Sequence, residues 1–340
     1  MKGVVLAAGI GNRMKPITEV MPKPMVPIAN RPVLEHVVRG LVAAGVEEIL
    51  VVVNYLEAQI RAGFGDGARL GARISYIRQE NPKGGTGAAA LLGEAFVGDD
   101  PFLLTFGDLM LSPANYGALV ESYRARPTSG RITGNWMDDP SQGAAITIGD
   151  DDRMVRIVEK PPRGTEESNW NNSGVFVFRP AIFEAIRRIP LSPRGELELT
   201  AAIQWVADRF GDVTVYRLRG LWSDVGTPAK VLVLNHQILS DPDVGVPVVR
   251  MDRLPLGAEV DATSAVAEGA DLDACRVGDY TCIAGGARVG PGAALRRSAL
   301  FPGAAVGAGA RLEYAIVMQH ARVPDGAAVA GTAQEPAVVL

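Results

Sequence analysis

The chain predicts an α/β sheet domain followed by a parallel β-helix, on three observations. Strand-like and helical runs alternate through about residue 235. The runs VVL at 4–6, EEILVVVNY at 47–55 and FLLTFGD at 102–108 read as strands buried on both faces. Beyond Pro242 the helical period disappears, and isolated aliphatic residues recur six apart.

The elements follow in order. After the first strand, VLEHVVRGLVAAG at 33–45 sets Val33, Leu34, Val37, Val38, Leu41 and Val42 on one helical face, closed by Gly45. The strand at 47–55 follows. ISYIRQ at 74–79 alternates, TGAAALLGEAF at 86–96 reads as helix, and 102–108 is strand again. AAITIGDDDRMVRIVEKP at 144–161 reads as two strands joined by an acidic turn. SGVFVFRP at 173–180 is a strand, ELELTAAIQWVADRF at 196–210 a helix, and VTVYRL at 213–218 a strand. In the tail, Leu254, Val260, Val266 and Leu272 are six apart, and Val277, Ile283, Val289 and Leu295 repeat this after a slip of one. Leu300, Val306 and Leu312 follow after another slip, then Val317, Val323 and Val329. A flexible linker has no reason to keep such a period, whereas stacked rungs need one inward apolar residue per side. The boundary falls near residues 240–250, giving domains 1–240 and 250–335.

Bulk properties narrow the chemistry. The chain has 340 residues, 47% of them hydrophobic, enough for two cores. A net charge of −4 with scattered basic residues argues against nucleic acid. The cysteines, Cys275 and Cys282, match no zinc pattern, and His36, His236 and His320 stand apart. Two thiols suit a reducing compartment. The N-terminal apolar run is cut by Gly9 and Gly11, and no stretch of 18 apolar residues follows, so the expectation is a cytoplasmic protein with no membrane partner.

Three constellations carry candidate chemistry. In LAAGIGNRM, Gly9 and Gly11 bare the backbone N–H groups for a phosphate, although a tight turn alone also explains them. A dinucleotide fingerprint needs glycine where Met14 stands, and a Walker A ending is absent. Arg13 and Lys23 strengthen the phosphate reading. Pro22 and Pro24 predict an extended backbone that holds Lys23. Asp108 closes a strand at the ligand-binding edge of the sheet, and Asp224 follows a strand-like run. Together they could hold Mg²⁺ beside phosphates; singly, each could be a cap or turn residue. Lys160 sits between Glu159 and a proline pair, and Glu159 and Asn172 suit hydroxyls, though a surface hairpin accounts for both.

The sequence resembles the sugar-phosphate nucleotidylyltransferases, or nucleotide-sugar pyrophosphorylases. LAAGIGNRMKPIT, PKPMVPIANRPVLEH, KGGTGAA, FGDLMLS, VEKPP, NNSGVFVF and WSDVGTP occur in family order across residues 3–235. The resemblance implies a Rossmann-like mixed, mainly parallel sheet flanked by helices, followed by a short left-handed β-helix. It implies that Leu6, Ala8, Gly9 and Gly11 line the nucleotide, with Arg13 on the departing pyrophosphate and Lys23 over the reacting phosphates. Gln79, Gly84, Gly85, Thr86 and Gly87 would lie against the base. Asp108 and Asp224 would hold Mg²⁺, Lys160 the sugar phosphate, and Gly143, Glu159 and Asn172 the sugar. Asn12 departs from the family's usual Thr or Ser.

The partners implied are a nucleoside triphosphate and a sugar 1-phosphate. KGGTGAA favours UTP or dTTP with a glucose or N-acetylglucosamine 1-phosphate. PKPMVPIANRPVLEH is equally at home in mannose-1-phosphate guanylyltransferases using GTP. A catalytically silent regulatory subunit is a further alternative, opposed by the presence of Arg13, Lys23, Asp108, Lys160 and Asp224. An acyltransferase tail is opposed by a repeat region whose sole histidine is His320. The β-helix suits a homo-oligomer.

Overall fold

The apolar runs of the first half become the centre of one mixed sheet. The structure, a computed structural model, describes residues 1–81 and 83–340. The first of its two units comprises Met1–Ile10 and Val37–Trp222; the second comprises Gly11–His36 and Ser223–Leu340.

In chain order the principal elements are β1 (Lys2–Ala7), α1 (Val33–Ala43), β2 (Glu48–Val53), α2 (Glu57–Phe64), β3 (Arg73–Arg78), α3 (Gly85–Leu91), β4 (Phe102–Phe106) and α4 (Ala114–Ala125). There follow β5 (Gly130–Trp136), β6 (Ala144–Ile148), β7 (Met154–Glu159), β8 (Trp170–Phe178), α5 (Ala181–Arg188), α6 (Leu199–Phe210), β9 (Val213–Arg217) and α7 (Pro228–Ser240).

Among the described residues, the sheet runs β7-β6-β8-β4-β1-β2-β3, with β5 bridging β8 and β9. Strands β4, β1, β2 and β3 are parallel, and β8 enters antiparallel to β4. Neighbouring strand residues point to opposite faces. Val4 and Val5 are both 0% exposed, so β1 is covered on both sides, as its unbroken apolar run predicts.

Three local expectations are corrected. The helix expected over 86–96 breaks into Gly85–Leu91 and Glu94–Val97. Gly93 lies against β1, where an added Cβ would come within 3.0 Å of a Val4 methyl. The helix expected from residue 196 begins at Leu199 instead. Leu197 spends its backbone groups elsewhere, its N–H on the Gly84 carbonyl (2.9 Å) and its carbonyl on the Gly87 N–H (2.8 Å). Finally, Pro22 is extended, but Lys23–Met25 form a 3₁₀ turn rather than continuing in extended form. Pro24 fits there because the turn closes through Met25 N–H to the Pro22 carbonyl and Val26 N–H to the Lys23 carbonyl, neither of which needs a proline donor.

In the second unit the six-residue period becomes three parallel sheets of short rungs. Val260 pairs with Val277, then Leu295, Leu312 and Val329 on successive rungs. Val266, Ile283, Leu300 and Val317 form a second column, and Leu272, Val289, Val306 and Val323 a third. The shortened corners before Val277, Leu300 and Val317 contain Ala274, Arg297 and Tyr314, each with positive φ, and the six-residue corners at Gly269 and Gly286 have positive φ as well. Leu254 departs from the pattern: it precedes the first rung and is 46% exposed. Cys275 and Cys282 are buried free thiols. Among the described residues, no helix is long and apolar enough to cross a membrane.

Candidate functional site

The first unit gathers the residues expected around the sugar. A cavity of about 300 Å³ is lined by Thr86, Gly143, Glu159, Lys160 and Asn172, together with Arg194, Glu196 and Glu198. Lys160 follows the last residue of β7 with φ 44°, and its N–H donates to the Gly143 carbonyl at 2.7 Å. Gly143 is constrained in turn by Asn171, because an added Cβ would stand 2.0 Å from the Asn171 side-chain oxygen. That oxygen accepts from Ala144 N–H at 3.0 Å, and the Asn171 amide donates to Asn135 at 3.0 Å. Asn172 caps locally, accepting from Gly174 N–H at 3.3 Å.

Arg194 escaped the motif reading. Its guanidinium lies 2.7 Å from Glu198, 3.5 Å from Glu196 and 3.7 Å from Glu159. The arginine just before the acidic residues of RGELE was the available signal.

The glycines of 84–87 are explained first by the chain itself. Gly85 has φ 88°, and a Cβ there would sit 2.6 Å from the Leu197 carbonyl; at Gly87 it would sit 2.8 Å away. Thr86 Oγ1 accepts from Leu199 N–H at 3.1 Å, satisfying a donor in the first turn of α6. Gln79 is buried, with its amide 3.4 Å from the Gly85 carbonyl. Leu6 and Ala8 are buried too, while Gly9 has open space around it. Asp108 is half-buried two residues beyond β4, at the carboxyl ends of the parallel strands.

The second unit gathers the cations. Gly11 has φ 73°, and an added Cβ would meet Lys23 Cγ and Cδ at 2.9 Å, so the lysine stem lies against the glycine. Thr18 Oγ1 donates to the Gly11 carbonyl at 2.9 Å, tying the turn down. Arg13 is 3.7 Å from Asp224, and Lys230, a residue outside the motif reading, is 3.5 Å from the same carboxylate. Gly226 leaves room for it, since a Cβ there would stand 2.4 Å from Asp224 Oδ2. The structure thus forms two groups: Gly143, Glu159, Lys160, Asn172 and the 84–87 turn in one unit, Gly11, Arg13, Lys23 and Asp224 in the other. Asp108 belongs to the first unit and Asp224 to the second.

Burial raises the Glu159 carboxyl above the usual glutamate range, and Glu198 pushes it further, against the pull of Lys160 and Arg194. A carboxyl with a higher pKa folded than unfolded binds more protons in the folded state. Stability therefore falls as pH rises from the usual glutamate value through the raised one. Glu159→Gln cannot ionise, so its Tm is expected to exceed the parent's above that window, with the gap closing in acid. Melting curves across pH check this; a pH-independent gap contradicts it.

The open α/β sheet places Asp108 beyond the carboxyl ends of its parallel strands, the edge at which such sheets bind ligands. The chain belongs to the nucleotidyl transferase family, whose model matches residues 2–241. It is 37% identical over 242 residues to the low-salt glycan biosynthesis nucleotidyltransferase Agl11 of Haloferax volcanii, covering 71% of this chain and 67% of that protein. The same figures hold for a glucose-1-phosphate thymidylyltransferase of Streptomyces antibioticus. A solved Bacillus anthracis structure assigned as a glucose-1-phosphate thymidylyltransferase, in complex with sucrose, superposes with a TM-score of 0.64 at 28% identity. That match covers 69% of this chain and 94% of the other.

Proposed function

We propose that the protein transfers a nucleotidyl group from UTP or dTTP to a glucose- or N-acetylglucosamine-type sugar 1-phosphate, releasing pyrophosphate. The observation that carries this is the cavity uniting Gly143, Glu159, Lys160 and Asn172, residues 143–172 of a chain whose family match spans 2–241. A sugar-phosphate oxygen forms a bond to the α-phosphorus as the bond to pyrophosphate breaks. Both reactants are anions, so positioning and charge neutralisation are the catalytic tasks. Lys160 takes the sugar phosphate, and Glu159 and Asn172 take ring hydroxyls. Leu6, Ala8, Gly9 and Gly11 line the triphosphate, with Arg13 and Lys23 neutralising it. Gln79 and Gly84–Gly87 face the base.

The donor chemistry fits Mg²⁺. Asp108 and Asp224 offer hard oxygens, and this ion commonly takes one or two carboxylates and completes its shell with phosphate oxygens and water. Bound there, it would supply charge neutralisation for the phosphates. EDTA is expected to abolish turnover and Mg²⁺ to restore it; full activity in EDTA would remove the two aspartates from this role.

A matrix of the five nucleoside triphosphates against glucose, mannose, galactose and N-acetylglucosamine 1-phosphates tests the reading by pyrophosphate release. Highest kcat/KM with UTP or dTTP and a gluco-configured sugar is expected. Preference for GTP with mannose 1-phosphate would overturn the specificity, and no release with any pair would overturn the activity.

A further inference from the structure

The corners of the β-helix turn on residues in the left-handed region, in three columns. One column is Gly257, Ala274, Gly292, Gly309 and Gly326, and another is Gly269, Gly286 and Gly303, ending at His320. Glycine adopts this conformation freely, whereas residues with a Cβ adopt it at a cost. The third column breaks the rule with Tyr280 (φ 59°), Arg297 (φ 48°) and Tyr314 (φ 48°). Bulky side chains held where neighbouring columns use glycine need a compensating role.

These three side chains line one cavity of about 390 Å³, together with Leu232, Val233 and His236 of α7. The His236 ring stands edge-on to Tyr280 at 4.1 Å between centroids. Arg297 lies over the Tyr314 ring at 5.4 Å and donates to its hydroxyl at 3.0 Å. Asp279 and Glu313 stand 3.4 and 3.9 Å from the same guanidinium. The walls are therefore aromatic and aliphatic, and their polar groups are the planar Arg297 guanidinium, the Tyr314 hydroxyl and the His236 ring, which offer donors and acceptors. A flat heteroaromatic ring with donors and acceptors alternating on its edge complements both features, whereas a polyhydroxylated sugar matches only the second.

We propose that Tyr280, Arg297, Tyr314 and His236 form a binding site for a nucleobase-bearing small molecule, separate from the residues assigned above to nucleotidyl transfer. Packing alone explains part of Tyr280, which rests on Leu239, Ala265 and Cys282. Arg297 and Tyr314 are the test positions.

The experiment titrates the full chain by calorimetry with adenosine, guanosine, uridine and thymidine, chosen because they lack phosphates. At least one is expected to bind one-to-one with Kd below about 1 mM. Binding should weaken at least about tenfold in Arg297→Gly and Tyr314→Gly and persist in Gln79→Ala, which alters the turn assigned to the transferred nucleotide. The Tm of both glycine variants should equal or exceed the parent's, because glycine relieves the left-handed backbone. No nucleoside binding, or binding lost only in Gln79→Ala, overturns the proposal. So does a lower Tm in both glycine variants, which would make the column a packing device.

Discussion

Lys23→Ala is expected to lower kcat by about 10²–10³-fold, or roughly 3–4 kcal/mol of transition-state stabilisation. The argument starts from the backbone. Pro22 is buried and extended, and the next three residues close a 3₁₀ turn through two hydrogen bonds of 2.8 and 3.1 Å. The stem of Lys23 then runs against Gly11, where φ 73° and a contact of 2.9 Å to an added Cβ both favour glycine. An ammonium on a stem guided in this way loses less entropy when it meets phosphate oxygens. Gly11→Ala should displace it and produce part of the same defect. Steady-state kinetics separate the outcomes: loss in kcat and kcat/KM together marks an interaction made at the transition state, whereas a change in KM alone marks ground-state binding. Near-normal turnover in Lys23→Ala would remove the residue from the reaction. Lys23→Arg should recover little, because a planar guanidinium does not reproduce a compact ammonium.

The β-helix was legible because its signal is local and repeated. Val266, Ile283, Leu300 and Val317 each meet the same requirement, an apolar side chain facing the column below. The parallel centre was legible because strands covered on both faces can be apolar throughout. Strand β5, GRITGNW, escaped for the opposite reason. Its Arg131, Thr133 and Asn135 are buried yet polar. Arg131 donates to the carbonyls of Ser122 and Arg126 and to Thr214 Oγ1, while Thr133 donates to the Val175 carbonyl. Thr214 and Val175 lie 83 and 42 residues away along the chain, outside any local window. The motif residues of the site were legible as types: glycine beside cation, aspartate after strand. Their physical constraints were not. Gly85 and Gly87 look like ligand-facing glycines, but the backbone of Leu197 already forbids a side chain at either.

Gly143→Ala is expected to lower both stability and turnover, and its cause lies across the sheet. Gly143 has a negative φ of −119°, and the obstacle is steric: a Cβ would stand 2.0 Å from Asn171 Oδ1 and 3.0 Å from its Cγ. Asn171 is 1% exposed and cannot swing into solvent. Moving it breaks its bonds with Ala144 N–H and the Asn135 side chain, leaving buried groups unpaired. Unpaired buried groups and overpacking each cost about 1–3 kcal/mol, so a loss of about 2–4 kcal/mol is expected. For a unit of this size the Tm should fall by about 5–15 °C. Turnover should fall by about 10²-fold as well. The Gly143 carbonyl fixes the Lys160 N–H at 2.7 Å, and a displacement of about 1 Å in a positioning group costs that much. Adding Asn171→Ala removes the obstructing carbonyl, so the double variant should lose less than the two single changes combined. Strict additivity in Tm and in kcat/KM would mean that Gly143 holds Lys160 independently of Asn171.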